Sequence, residues 1–402
     1  MKIGSLIKYH RTKQGLTQNE LAMGICSIPH LSKIENNSKE ANEETIRLLL
    51  QRLNIQLQEV VEREQYIVSL LNDLLKHIFY VNKQEAAKTF EQLVEYDELM
   101  PFTKHLYLYE LYKLRYYIFI SNTELAELQI SLLNGLKKNF SQYEKYLHSL
   151  FSALLLILDG KYQAADQEFV VLLQKNLDLG LFEGDVYYHL AIVKYRLEES
   201  GQAIIFSRKA LNYYQNEYNF KRILYTLMSL ALYYSDENLY QEALGTYEHV
   251  LRNVEVLHEH DLLTQIYQNL GVLYSRMGEN AHALGYFEKS TCSATEDHPL
   301  YCMGLYNLGY IQNEMGLYEE SKESFLVLKK KAKSPIYMNL ANFYLLLLNL
   351  QENEAMEFLE VKVLPQLSKV QDLNEVYMYL KSVLKNYLLK KEKYEKAMQF
   401  SE

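Results

Sequence analysis

The sequence predicts an all-α protein. Hydrophobic residues make up 49% of the chain, but there are only 15 Gly and 5 Pro. Apolar residues recur at helical spacing, and a block of small and aromatic residues returns about every 40 positions. So little Gly and Pro leaves few of the punctuation residues that short strands and tight hairpins require. At 402 residues the chain exceeds the size at which one compact core stops growing, so several domains or a repetitive architecture are expected. The 36 Tyr, against no Trp, supply amphipathic rings that pack helix on helix while keeping a hydroxyl near water.

Charge divides the chain. Residues 1–39 carry Lys2, Lys8, Arg11, Lys13, Lys33 and Lys39 against Glu20 and Glu35, a net +4; the whole chain is −9, which leaves −13 for the rest. A basic head on an acidic body directs a polyanion to the head. Cys26, Cys292 and Cys302 are too scattered for a disulfide framework and point to a reducing compartment. No apolar run reaches membrane-spanning length and the first residues lack a secretory apolar core, so a cytoplasmic protein without membrane contact is expected.

The head reads as short helices. Ile3, Leu6 and Ile7 fall at helical spacing, and Gly15 stands where a left-handed residue would end that helix. Thr17-Gln18-Asn19-Glu20 is a capping box that starts a second helix ending near Met23 and Gly24. A turn through Gly24, Ile25 and Cys26 leads to a third helix over about Ile28 to Asn36, with Pro29 tolerated in its first turn. Asn42 caps a fourth, carrying Ile46, Leu49, Leu50 and Leu53. Short helices with a tight turn between the second and third form a helix-turn-helix unit.

Over about the first 60 residues, Gly15-Leu16-Thr17-Gln18, Glu20-Leu21-Ala22 and Leu31-Ser32-Lys33-Ile34-Glu35-Asn36 are similar to the Cro/C1-type repressor domain. The resemblance implies a third helix in the DNA major groove, with Ser27, Ile28, Pro29, His30, Ser32 and Lys33 at or near base edges. It also implies a phosphate contact from Gln18 and a bracing ion pair between Arg11 and Glu35. Ile28 and Pro29 replace polar side chains often found at reading positions. Hydrogen-bond readout then falls on His30, Ser32 and Lys33, with Ile28 against a thymine methyl.

The body repeats. Ala153, Ala191, Ala231, Gly271 and Gly309 lie 38, 40, 40 and 38 residues apart. Twelve residues after each comes another small one: Ala165, Ala203, Ala243, Ala283 and Ser321. Four further on stand Phe169, Tyr247, Phe287 and Phe325, with Ser207 the exception. This pattern resembles the tetratricopeptide repeat, antiparallel helix pairs in which small residues allow close approach and aromatics fill the gap. Weaker copies around Ala86, Leu114, Leu340 and Leu380 bring the count to about nine repeats from residue 66 onward.

The resemblance implies a right-handed superhelix whose inner face is built from the first helix of each pair. Asn269, Asn307 and Asn339 precede Leu-Gly or Leu-Ala at one equivalent point, where an amide can hold a peptide backbone or satisfy a neighbouring turn. Asn342, Arg276, Asn313, Gln268, Lys194 and Arg115 are candidates for the same face, the cations serving a peptide carboxylate.

No Gly-rich phosphate loop, HExxH or Cys-x-x-Cys occurs, and neither Cys26 with His30 nor Cys292, His298 and Cys302 offers four metal ligands. The reading therefore includes no cofactor, no metal and no enzyme. His258-Glu259-His260-Asp261 reads as a solvated helix end.

Head and body together resemble the peptide-responsive quorum-sensing regulators of Gram-positive bacteria, the family of Rgg, Rap, NprR, PlcR and PrgX proteins. The division expected is a DNA-binding domain over 1–60, a linker helix over 61–70 and a peptide-sensing, dimerising repeat domain over 71–402. What the family implies is a homodimer on double-stranded promoter DNA, switched by a short signalling oligopeptide. Two other readings remain open: a Rap-like regulator that binds a response regulator, and a phage or plasmid repressor without a peptide ligand.

Overall fold

The computed structural model describes residues 3–38, 41–174, 182–256, 259, 262–370 and 373–400. Every regular element among them is helical. The chain divides into two compact units, residues 1–226 and 227–402.

The first unit opens with α1 (Ile3–Lys13), α2 (Gln18–Ala22), α3 (Ile28–Glu35) and α4 (Glu43–Arg52), which enclose a small core of Ile7, Leu21, Leu31, Ile34, Leu49 and Leu50. The local signals act as read. Gly15 adopts φ +71° after α1, the Thr17–Glu20 capping box is complete, and the Asn42 side chain accepts from Thr45 N–H. Gly4 matters for a different reason: a Cβ there would lie 1.8 Å from the Ile34 carbonyl oxygen, so only glycine lets α1 approach the end of α3.

The segment 61–70, expected as a linker helix, lies within one 23-residue helix, α5 (Leu57–Phe79). Ile67, Leu70, Leu71, Leu74 and Ile78 on it are buried in the body core. The unit continues with α6 (Lys83–Val94), a 3-10 turn at Met100–Phe102, α7 (Leu106–Phe119), α8 (Thr123–Leu136), α9 (Gln142–Leu158), α10 (Tyr162–Gln174), α11 (Glu183–Arg196) and α12 (Ser200–Asn216). Helix α13 (Phe220–Asp236) begins in this unit and ends in the next.

The second unit carries α14 (Tyr240–Val256), α15 (Leu263–Arg276), α16 (Asn280–Ser293), α17 (Tyr301–Glu314), α18 (Tyr318–Lys331) and α19 (Pro335–Leu348). After them come α20 (Glu352–Phe358), a π-helical stretch at Leu359–Val363, α21 (Leu364–Leu367), α22 (Asn374–Lys390) and α23 (Tyr394–Met398). The π stretch runs directly into Pro365, which has no N–H to continue a regular ladder.

Helices α5 to α23 therefore make nine successive pairs among the described residues, the eighth ending in the π stretch and α21. The repeat residues are where the pattern requires them. Ala153, Ala165, Ala203, Ala231, Ala243, Ala283 and Ser321 are fully buried, as are Phe169 and Phe325. A Cβ on Gly271 would meet the Phe287 ring at 2.5 Å, and one on Gly309 the Phe325 ring at 2.9 Å. Glycine lets an aromatic ring lie on the helix backbone at these two positions. Phe325 in turn stacks on Tyr344 at 4.7 Å between centroids.

Each pair is closed by the same three-residue turn. Val81, Ser121, Gly160, Glu198, Asn238, Gly278, Gly316, Leu350 and Glu392 all have φ between 56° and 76°. In every one the next residue's N–H returns to a carbonyl five positions earlier, as in Glu199 N to Lys194 O at 2.9 Å. This Schellman closure satisfies the carbonyls that a helix end leaves without partners.

Candidate DNA-binding head and repeat face

The head is braced around one carboxylate. Glu35, at the end of α3 and 2% exposed, receives Arg11 Nε at 2.6 Å, Arg11 Nη2 at 3.1 Å and Gln18 Nε2 at 2.8 Å. Arg11 Nη1 also donates to the Leu16 carbonyl at 2.8 Å. Three helices are thus locked to one anion, with α3 held at a fixed angle. The ion pair expected from the resemblance is present, and Gln18, expected to contact phosphate, donates its amide nitrogen to the same carboxylate.

Ser27 is the N-cap of α3, its hydroxyl accepting from His30 N–H at 3.4 Å. Its oxygen is therefore committed to the helix start. Ile28, Pro29 and Lys33 are exposed, while His30 and Ser32 are half-buried. The six expected reading residues fall within seven positions, with Leu31, Ile34 and Glu35 buried behind them. Below them Arg52 Nη1 donates to the Leu21 carbonyl at 3.0 Å, closing the turn between α2 and α3 from the α4 side.

The head also touches the body within the first unit. Tyr9 donates to Glu98 at 2.8 Å, Lys13 pairs with the same carboxylate at 2.7 Å, and the Tyr9 ring lies 5.2 Å from Phe102.

Two of the expected peptide contacts, Arg115 and Gln268, are buried. Arg115 is 3% exposed and donates from Nη2 to Asp185 Oδ2 at 3.0 Å. Arg222 approaches Asp185 Oδ1 at 3.5 Å and Tyr214 donates to it at 2.9 Å. Burial alone would raise the Asp185 carboxyl, but Arg222 and Arg115 hold it well below the usual carboxylate range. Arg115 therefore ties α7 to α11 and is closed to a peptide carboxylate. Gln268 is likewise buried, accepting from Ser290 Oγ at 3.4 Å.

The others are only partly buried, and Lys194, Asn269, Asn339 and Arg276 have partners of their own. Lys194 is held by Asp166 at 3.0 Å and Glu199 at 3.2 Å. Asn269 is half-buried and hydrogen-bonds Tyr247. Asn339 donates to Gln366 at 3.0 Å. Asn307, Asn313 and Asn342 are half-buried on α17 and α19. Arg276, at the end of α15, lines a shallow cavity of about 400 Å³ with Asn238, Tyr240, Gln241 and Glu242. Sequence reasoning missed Asp185 and Glu375 as partners of these cations. Asp185 gave a signal, an acid between Gly184 and Val186 in an otherwise helical apolar stretch.

Among the described residues no group of three or more His, Cys, Asp or Glu is placed to hold a metal, and no helix is long and apolar enough to cross a membrane. Of the His258–Asp261 stretch, only Glu259 is among the described residues.

Head and body together define a helix-turn-helix protein with a tetratricopeptide-repeat body. A helix-turn-helix family model matches residues 7–60, and a tetratricopeptide-repeat model matches residues 222–296. Transcriptional activator NprA of Geobacillus stearothermophilus is 28% identical over 395 residues, covering 94% of this chain and 97% of its own. Regulatory protein RapD of Bacillus subtilis (strain 168) is 26% identical over 184 residues, 45% of this chain and 52% of its own.

The apo form of the quorum sensor NprR from B. thuringiensis superposes with a TM-score of 0.68 at 21% identity, over 84% of this chain and 97% of that one. NprR in complex with its cognate peptide NprX gives 0.62 at 21% identity, over 83% and 95%. These structures share the fold. In sequence the chain is similar, along nearly its full length, to a transcriptional activator, with helix-turn-helix and tetratricopeptide-repeat models matching its head and part of its body.

Proposed function

We propose that this protein is a transcriptional regulator that binds double-stranded promoter DNA through α3, as a homodimer, and whose repeats take a short signalling peptide that alters dimer geometry and DNA affinity. The observation that carries the reading is the joining of two parts: an α3 N-terminal face braced by Arg11, Gln18 and Glu35, and a repeat body that extends the likeness to NprA over 94% of the chain. Lys33 and His30 supply charge and a donor at that face, where readout of base edges takes place in such heads. Two heads must meet half-sites a whole helical turn apart, so a shift of a few ångströms between them is enough to switch affinity.

The test is fluorescence anisotropy on DNA from the protein's own upstream region, at several salt concentrations, with and without a small-peptide extract of the source culture. Selective, salt-dependent binding that the extract changes is the expected result. Replacing Lys33 and His30 together by Ala should abolish selective binding without loss of helicity, whereas replacing Asn269 and Asn307 should blunt only the peptide response. Selective binding indifferent to the extract would favour a repressor without a peptide ligand. No selective binding would overturn the DNA reading in favour of a protein partner on the repeats.

A further inference from the structure

In the second unit two side chains of the ninth pair's first helix reach the first helices of earlier pairs. Glu375, in the first turn of α22, pairs with Arg276 Nη2 at the end of α15. One turn on, Tyr379 packs edge-on against Tyr310 of α17 at 5.7 Å. Tyr310 in turn meets Tyr344 of α19 edge-on at 6.3 Å. Side chains of α22 thus reach α15 and α17, first helices of pairs whose inner face is where the peptide is expected.

Arg276 has a second carboxylate. Its Nη1 donates to Asp236 at 2.6 Å and to the Ser235 hydroxyl at 2.8 Å. Asp236 and Glu375 thus already share this one guanidinium. A further carboxylate can settle on the guanidinium only if one of the two leaves, because like charges at hydrogen-bond distance repel. The two differ in how firmly they are held. Asp236 is 21% exposed and its cation is shared with Ser235; Glu375 is 69% exposed and sits on the opposite guanidinium nitrogen. Glu375 is therefore the one that yields.

Resting on the peptide-receptor reading above, we propose that Glu375 is an internal stand-in for a ligand carboxylate. A peptide's free C-terminal carboxylate displaces Glu375 from Arg276 and releases α22 from the face of α15 and α17. A shallow cavity of about 400 Å³ adjoins Arg276 on the side of the α13–α14 turn. The contact is autoinhibitory: it keeps the cation occupied until a peptide with a free terminus arrives, and it couples that arrival to the position of the last helix pair.

The experiment uses the full chain and two equimolar pools of random-sequence heptapeptides, identical except that one has free-acid and the other amidated C-termini. Retained peptide is measured by mass spectrometry. The wild type should retain the free-acid pool in preference to the amide. Glu375→Ala should raise free-acid retention about threefold to fivefold, the scale of an exposed ion pair, with no gain for the amide. Glu375→Gln, which keeps the side chain's shape, should behave alike, and Arg276→Gln should erase the preference. Equal retention of both pools, or no gain in either Glu375 variant, would overturn this inference while leaving the peptide reading standing. If neither the wild type nor the Glu375 variants retain any peptide, the peptide reading fails and this inference fails with it.

Discussion

Replacing Glu35 by Ala probes the head at its most costly point. The Glu35 side chain is 1% exposed and Arg11 only 11%, so removing the carboxylate leaves a nearly buried guanidinium without its counter-charge. Breaking a buried pair in this way costs about 3–5 kcal/mol. A head spanning residues 3–53 holds only about 3–8 kcal/mol of its own at roughly 0.05–0.15 kcal/mol per residue. The variant should therefore spend a large part of its time with the head open, while the repeats remain folded.

Hydrogen exchange read by mass spectrometry should show α1 to α3 losing protection with α7 to α12 unchanged, and selective DNA binding should fall in parallel. The double variant Arg11→Met with Glu35→Leu removes both charges at once. It should recover most of the protection, because a well-packed apolar pair is often no worse than a buried ion pair. Unchanged head protection in Glu35→Ala, or a double variant as open as the single one, would refute the assignment of this pair as the brace of the head.

Three further outcomes follow from other parts of the chain. Asp185→Asn leaves the buried Arg115 and Arg222 around a neutral amide and should cost about 3–5 kcal/mol, measured as a lowered midpoint in urea for the transition that reports α7 to α12. Burial pushes both His148 and His189 down to about 4. Below pH 6.5 the unfolded chain takes up protons there that the folded chain refuses, so stability is full above pH 6.5, declines as the pH falls to about 4 and then levels. His148→Gln should flatten that decline in a pH series of urea melts, by up to about 3 kcal/mol. Leu350, 93% exposed with φ 61°, gains nothing from packing and bears a left-handed backbone. Leu350→Gly should raise stability by about 0.5–1 kcal/mol, the relief of strain less the entropy of glycine; a lowered melting temperature would contradict it.

The elements that were legible in the sequence are those fixed by neighbours a few residues away. The capping box at Thr17, the left-handed Gly15 and the cap at Asn42 bind their own turns, so the residues that form them are adjacent in the chain. The repeat register was legible for a related reason: Ala153, Gly271 and Phe325 recur because each pair solves the same packing problem against the next. The turns between helices were less visible. Six of the nine left-handed residues are not glycine, and Leu350 or Glu392 carries no local mark of its backbone angle.

What the chain alone determined is thus the helical class, the basic head with its helix-turn-helix unit, and the repeat spacing, since each rests on local hydrogen bonds or on a side-chain period. Which cations stand open to a ligand was decided only by tertiary structure. Arg115 and Asp185 are 70 residues apart in sequence, and Arg276 and Glu375 are 99 apart. No helical period relates such residues; they meet because folding brings distant helices together, and a charge's partner is set by where it comes to rest in space.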